Sequence, residues 1–128
     1  MASWEDVRDH MRSTFKLHQD EPELVSMVWT YEDGRHQKII LRSFSAFERQ
    51  LVEFKSAFAR IEDADPVEML RKNSELPLGT IALHGDVYVV VYNAVLEHLD
   101  MADLDLYLSR VAGLADKLEE EYGKKDVF

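Results

Sequence analysis

The amino-acid sequence predicts an α+β fold in which helices pack on an antiparallel sheet. Apolar residues recur at helical spacing near both ends of the chain. Two segments rich in β-branched and aromatic residues contain the tight-turn pairs Asp33-Gly34 and Gly85-Asp86, which are typical of β-hairpins. Between the hairpins, Asp65-Pro66 is a helix-start signal. Helices and hairpins in one short chain favour the α+β class.

The first predicted helix runs from Ser3 to Leu17. Ser3 is a candidate N-cap, and Asp6 stands where an acidic side chain completes a capping box. The helix is amphipathic, and its apolar face carries Trp4, Val7, Met11 and Phe15.

The first hairpin is predicted from Leu24 to Tyr31 and from His36 to Phe44. Asp33-Gly34 supplies the positive φ of a tight turn. Alternation on the first strand places four side chains on one face, namely Val25, Met27, Trp29 and Tyr31.

The next segment, "FSAFERQLVEFKSAFARIED", has two interpretations. Ser45 and Glu48 form a possible capping box, and the large apolar residues fit a helix. Val52, Phe54, Ser56 and Phe58 also alternate as in a strand. The residues alone favour the helix.

The second half contains a short helix, a hairpin and a long helix. Asp65 can cap a helix over Pro66 to Asn73, and strands are predicted at Thr80 to His84 and Val87 to Asn93. The second of these strands is apolar on both faces, so either both faces are covered within the chain or another molecule covers one. The final helix is predicted from Met101 to Tyr122, with Asp100 as N-cap and Gly123 after its end.

Length and composition predict one soluble domain over residues 1–123 with a loose tail at 124–128. The 128 residues contain no apolar run long enough to span a membrane and no leader-like N-terminus, so we expect a cytoplasmic protein. The formal charge of −10 makes nucleic acid and anionic membranes poor partners and suits a protein-binding module.

Catalytic and cofactor motifs are not found in the sequence. The chain has no cysteine, its five histidines lack the spacing of a local metal site, and its glycines form no phosphate loop. No serine lies in a Gly-x-Ser-x-Gly motif. We therefore predict no catalytic residue, cofactor or metal, and a protein that is not an enzyme.

Aromatic and apolar residues are the remaining candidates for function. Such residues anchor interfaces, and they also fill cores. The candidate partner-binding residues are Trp4, Val7, Met11 and Phe15 on the first helix and Trp29 on the first hairpin.

The second half of the chain resembles the YbjN-like family, which has the fold of the type III secretion chaperones. The resemblance is carried by the residues "LVEFKSAFARIEDADPVEMLRKNSELPLGTIALHGDVYVVVYNAVLEHLDMADLDLYLSRVAGLADKLEE". It implies a third strand at about Gln50 to Arg60, and hence the order α-β-β-β-α-β-β-α.

The resemblance also implies a function. Secretion chaperones of this fold are small, acidic, usually dimeric bacterial proteins that hold a client segment in extended form, and YbjN-like proteins are described as regulators. This chain is then expected to be a homodimer that binds a polypeptide, with a dimer contact at the short helix near Met69 and the adjacent hairpin. The alternative is a small-ligand sensor or an uncommon enzyme with a pocket between the sheet and the long helix.

Overall fold

A computed structural model of the protein describes residues 2–123. The expected α+β class and element order are confirmed, and the structure adds a short strand that the sequence did not predict, β1. The predicted tail at 124–128 lies outside the described residues. The elements are α1 (Trp4–Thr14), β1 (Gln19–Glu21), β2 (Leu24–Thr30), β3 (His36–Ala46), β4 (Arg49–Arg60), α2 (Pro66–Lys72), β5 (Thr80–His84), β6 (Val87–Val95) and α3 (Met101–Tyr122).

The strands form a six-stranded antiparallel sheet in the order β1-β2-β3-β4-β6-β5. The long helix α3 packs across β4, β3 and β6, and α1 contacts α3. Because side chains alternate along a strand, every second residue points toward these helices and the others point to the opposite face. On β3, for example, Ile39 and Leu41 are fully buried beneath the helices. We call this side of the sheet the helix face and the other side the open face.

Helix α1 begins with the predicted capping box. Asp6 N–H donates to Ser3 Oγ at 3.2 Å, and Ser3 N–H donates to Asp6 Oδ2 at 3.0 Å. The helix ends at Thr14, so the predicted extension to Leu17 is wrong. Phe15 has extended backbone and leads the chain toward β1.

Strand β1 is held against α1 by charge. Asp20 accepts hydrogen bonds from Arg12 Nε at 2.7 Å and from Arg8 Nη2 at 3.0 Å. The Arg12 hydrogen bond is the largest cause of a lowered pKa at Asp20. These contacts attach a very short edge strand to the helix that follows the N-terminus.

The ambiguous segment is a strand. Residues Leu51 to Phe58 lie within β4, so the third strand is confirmed and the helical interpretation is wrong. Instead of capping a helix, the segment after β3 turns sharply, with φ of 53° at Phe47 and 61° at Glu48. Left-handed backbone is uncommon for such residues. The turn leaves the Phe47 side chain 96% exposed.

Strand β5 is the edge of the sheet opposite β1, and helix α2 precedes it in the chain. Asp65 caps α2 by accepting from Glu68 N–H at 3.1 Å. The chain then returns to β5 through Gly79, whose φ is +78° and whose position would set a Cβ 2.9 Å from the Val91 carbonyl oxygen. Only glycine fits this close approach without a backbone shift.

The long helix has the predicted bounds and cap. Asp100 accepts from Asp103 N–H at 2.8 Å, and Gly123 follows the last turn. The side chains at the interface of α3 with the sheet are completely buried, and they include Leu104, Leu108, Val111, Phe54 and Val90. Tight packing of this kind is what fixes the helix to the sheet.

Candidate protein-binding surfaces

Three of the predicted partner-binding residues belong to the core. Val7 and Met11 have no exposed surface, and Trp4 is 9% exposed. Trp4 Nε1 donates to the Pro22 carbonyl oxygen at 2.7 Å, so even its polar atom has a partner within the chain. The expectation that these side chains face a partner is therefore corrected, because α3 and the sheet already cover them.

The other two predicted residues form a pair at the surface. Phe15 and Trp29 are half-buried, and their rings meet edge to face with centroids 5.5 Å apart. Trp29 extends from β2 on the helix face, and Phe15 follows the end of α1. The indole Nε1 of Trp29 is buried without a hydrogen-bond partner among the described residues. The pair forms a partly open apolar site beside the end of β2.

The edge of the sheet beside this pair is unpaired. Strand β1 pairs with β2 only from Leu24 to Ser26, and the last contact is the His18 N–H donating to the Ser26 carbonyl at 2.8 Å. Peptide groups of alternate residues point to the same side of a strand. Val28 and Thr30 therefore direct their N–H and C=O groups outward, where no described strand pairs with them.

The opposite edge of the sheet is partly covered by a side chain. The Asn73 side chain follows α2 and binds both backbone groups of Ile81 on β5. Its Oδ1 accepts from the Ile81 N–H at 2.6 Å, and its Nδ2 donates to the Ile81 carbonyl at 3.3 Å. An amide in this position replaces a neighbouring strand, so β5 has less free backbone for another chain.

The open face carries a shallow apolar groove of about 280 Å³. Val89 forms part of its floor and is 4% exposed, whereas Val28 at its border is 39% exposed. None of the described helices covers this face. The two apolar faces of β6 thus have different surroundings. Helix α3 covers one face, and the groove lies on the other. The groove is lined by Val28, His36, Lys38, Ile40, Lys55, Ala57 and Val89.

Helix α2 exposes two apolar side chains, but not the predicted one. Met69 is 2% exposed and belongs to the core, so its expected role as a direct dimer contact is corrected. Val67 and Leu70 are 51% and 69% exposed. Because they lie three residues apart, they share the outer side of α2.

Among residues 2–123, the interface between the sheet and α3 is filled with buried side chains, which does not support a ligand pocket there. Within residues 2–123 there is no cluster of three or more histidine, aspartate or glutamate side chains placed to hold a metal ion. No helix in the same range is both long and apolar enough to cross a membrane.

Comparison with solved structures supports the fold. A chain in the structure of the HopA1-SchA chaperone-effector complex superposes with a TM-score of 0.62, over 88% of this chain and 89% of that one. Sequence identity is 12%, so the likeness concerns the fold alone. The chain has a type III secretion chaperone-like fold. No protein-family model matches the sequence, and no curated protein matches it significantly.

Of the two candidate binding features, the free edge had no signal in the sequence and the groove had an indirect one. The free edge depends on where β1 stops, and "QDE" has no strand pattern that would have revealed β1. The open-face groove could have been found from the Val-rich β6, whose apolar character on both faces indicated a second cover. What the sequence did not show is that this cover is absent within the described residues.

Proposed function

We propose that the protein is a non-enzymatic protein-binding module, chaperone-like or regulatory, that holds an extended segment of a polypeptide partner. The segment adds a strand to the free edge of β2 and lays apolar side chains against Phe15 and Trp29. Strand addition of this kind draws affinity from main-chain hydrogen bonds and specificity from side-chain sites. We place the chain among cytoplasmic YbjN-like proteins and expect it to act as a homodimer.

The unpaired edge of β2 beside a half-open aromatic pair is the observation that carries this proposal. An unprotected edge is a hazard for a protein unless something binds it. At the opposite edge, Asn73 bonds both backbone groups of Ile81, whereas Val28 and Thr30 of β2 have no comparable side-chain cover in the described part of the chain. Chaperone-like architecture in the HopA1-SchA neighbour supports a polypeptide as the partner.

The test uses affinity capture from the source cell with two edge variants. Thr30→Pro removes an N–H that points away from β3, so the sheet tolerates it while strand addition is blocked. Thr30→Ala keeps that N–H and is the matched control. We expect Thr30→Pro to lose a stoichiometric partner that both Thr30→Ala and the unmodified protein retain.

A second variant tests the aromatic pair. Trp29→Ala removes one ring of the Phe15–Trp29 pair together with a buried N–H that has no partner among the described residues. We therefore expect the domain to stay folded while capture weakens. Thermal unfolding of each variant shows whether it is folded. Full capture by folded Thr30→Pro and Trp29→Ala would contradict the proposed function.

A further inference from the structure

Charge is distributed unevenly between the two faces of the sheet. The chain has 25 acidic and 15 basic residues, yet basic side chains predominate on the open face. Strand register places only Glu21 and Glu53 there among the acids. The basic residues on the same face are Lys38, Arg42, Arg49, Lys55 and Arg60, and Arg49 among them forms an ion pair with Glu97.

Part of this basic character is not neutralised. Glu53 accepts from Arg42 at 3.2 Å and lies 3.8 Å from the Lys55 ammonium, so one carboxylate serves two cations. The Lys38 ammonium has no carboxylate partner in the described part of the chain. An acidic protein therefore presents a local positive field at this groove.

The groove also has a shape suited to side chains. Ala57 pairs with Val89 across β4 and β6, and the small alanine leaves a depression over the valine. The space of about 280 Å³ accommodates one or two apolar side chains, and Lys38 and Lys55 stand at its border. Apolar floor and cationic border together define the chemistry of an occupant.

We propose that this groove binds an acidic segment of the polypeptide partner, which inserts an apolar side chain over Val89 and places carboxylates near Lys38 and Lys55. This inference rests on the proposed function and adds the charge of the partner to it. Charge complementarity selects such a segment over a basic one, because like charges facing each other across an interface are unfavourable.

The experiment measures binding of two synthetic peptides to the full chain by calorimetry. One alternates leucine with glutamate, and the other has glutamine at each glutamate position. We expect the glutamate peptide to bind more tightly and to weaken with added salt, because the contacts are partly exposed. The glutamine peptide should show little salt dependence.

Two charge reversals locate the site. Lys38→Glu should weaken binding of the glutamate peptide about tenfold. Lys117→Glu changes the net charge equally on the exposed side of α3, and we expect it to leave binding within about twofold. Equal effects of the two variants, or equal affinity for both peptides, would overturn the inference.

The peptides also separate this inference from the proposed function. If Thr30→Pro abolishes peptide binding and Lys38→Glu does not change it, the free-edge proposal stands and the groove inference is overturned. If only Lys38→Glu weakens binding, the groove is retained as a binding site, and the proposal that these peptides bind the free edge is contradicted. If neither peptide binds, the inference is overturned, and partner capture by the edge variants then decides the proposed function.

Discussion

Val89 and Val90 are neighbours on β6 whose side chains lie on opposite faces of the sheet. Val90 is fully buried on the helix face, and Val89 is 4% exposed at the floor of the groove. Exposure is therefore almost the same for the two valines. Their surroundings differ, because the groove around Val89 also contains Lys38 and Lys55.

A carboxylate should reveal this difference. Val90→Asp buries a charge among apolar side chains, and we expect it to lower the free energy of unfolding by several kcal/mol or to prevent folding. Val89→Asp should also destabilise the domain, but less, since the new carboxylate can approach the two lysines. Denaturant unfolding followed by circular dichroism measures both. A larger loss for Val89→Asp would mean that the groove is more tightly closed than its geometry indicates.

The apolar stripe of α1 was correctly predicted, but its role was not. Trp4, Val7 and Met11 have the spacing expected of a buried face and equally of a binding face. Sequence periodicity says that something apolar covers a helix face, and it does not say whether the cover comes from the same chain. Only the placement of α3 and the sheet decides this, and it leaves Phe15 and Trp29 as the accessible pair.

At the scale of secondary structure, local signals succeeded where they were strong. Asp65, Asp100 and Ser3 act as helix caps as predicted, because capping depends on a few neighbouring backbone groups. Strand β4 was different. Phe47, Leu51, Phe54 and Phe58 have helical spacing, yet pairing with β3 and β6 on both sides stabilises the extended form. The family resemblance gave the correct answer because it included this tertiary context.

The contact between Asn73 and Ile81 leads to a separate prediction for the β5 edge of the sheet. Asn73→Ala leaves the N–H and C=O of Ile81 without their side-chain partner, so we expect a loss of about 1–3 kcal/mol in the free energy of unfolding. The exposed edge of β5 should also promote self-association at high concentration. Asn73→Asp keeps an acceptor for the Ile81 N–H, so its free energy of unfolding should lie between those of Asn73→Ala and the unmodified protein. The check is chemical denaturation together with light scattering, and an unchanged stability for Asn73→Ala would show that the contact contributes little.

For the whole molecule, the two exposed apolar residues of α2 indicate where two copies would meet. Val67 and Leu70 share the outer side of α2, and Leu83 of the adjacent β5 is 42% exposed. A two-fold interface would use this patch on both chains. The buried Met69 supports α2 from beneath and does not contact the second copy directly.

We therefore expect light scattering at tens of micromolar protein to give about twice the chain mass of 14.9 kDa. Leu70→Glu should give the monomer mass, because a two-fold contact would bury a pair of like charges. It should not lower the thermal stability of the fold, because a 69% exposed side chain contributes little to the core of one chain. Leu106→Glu is the matched control, since Leu106 is 44% exposed on α3. A monomer mass for the unmodified protein, or equal dissociation by both variants, would contradict a dimer formed through α2.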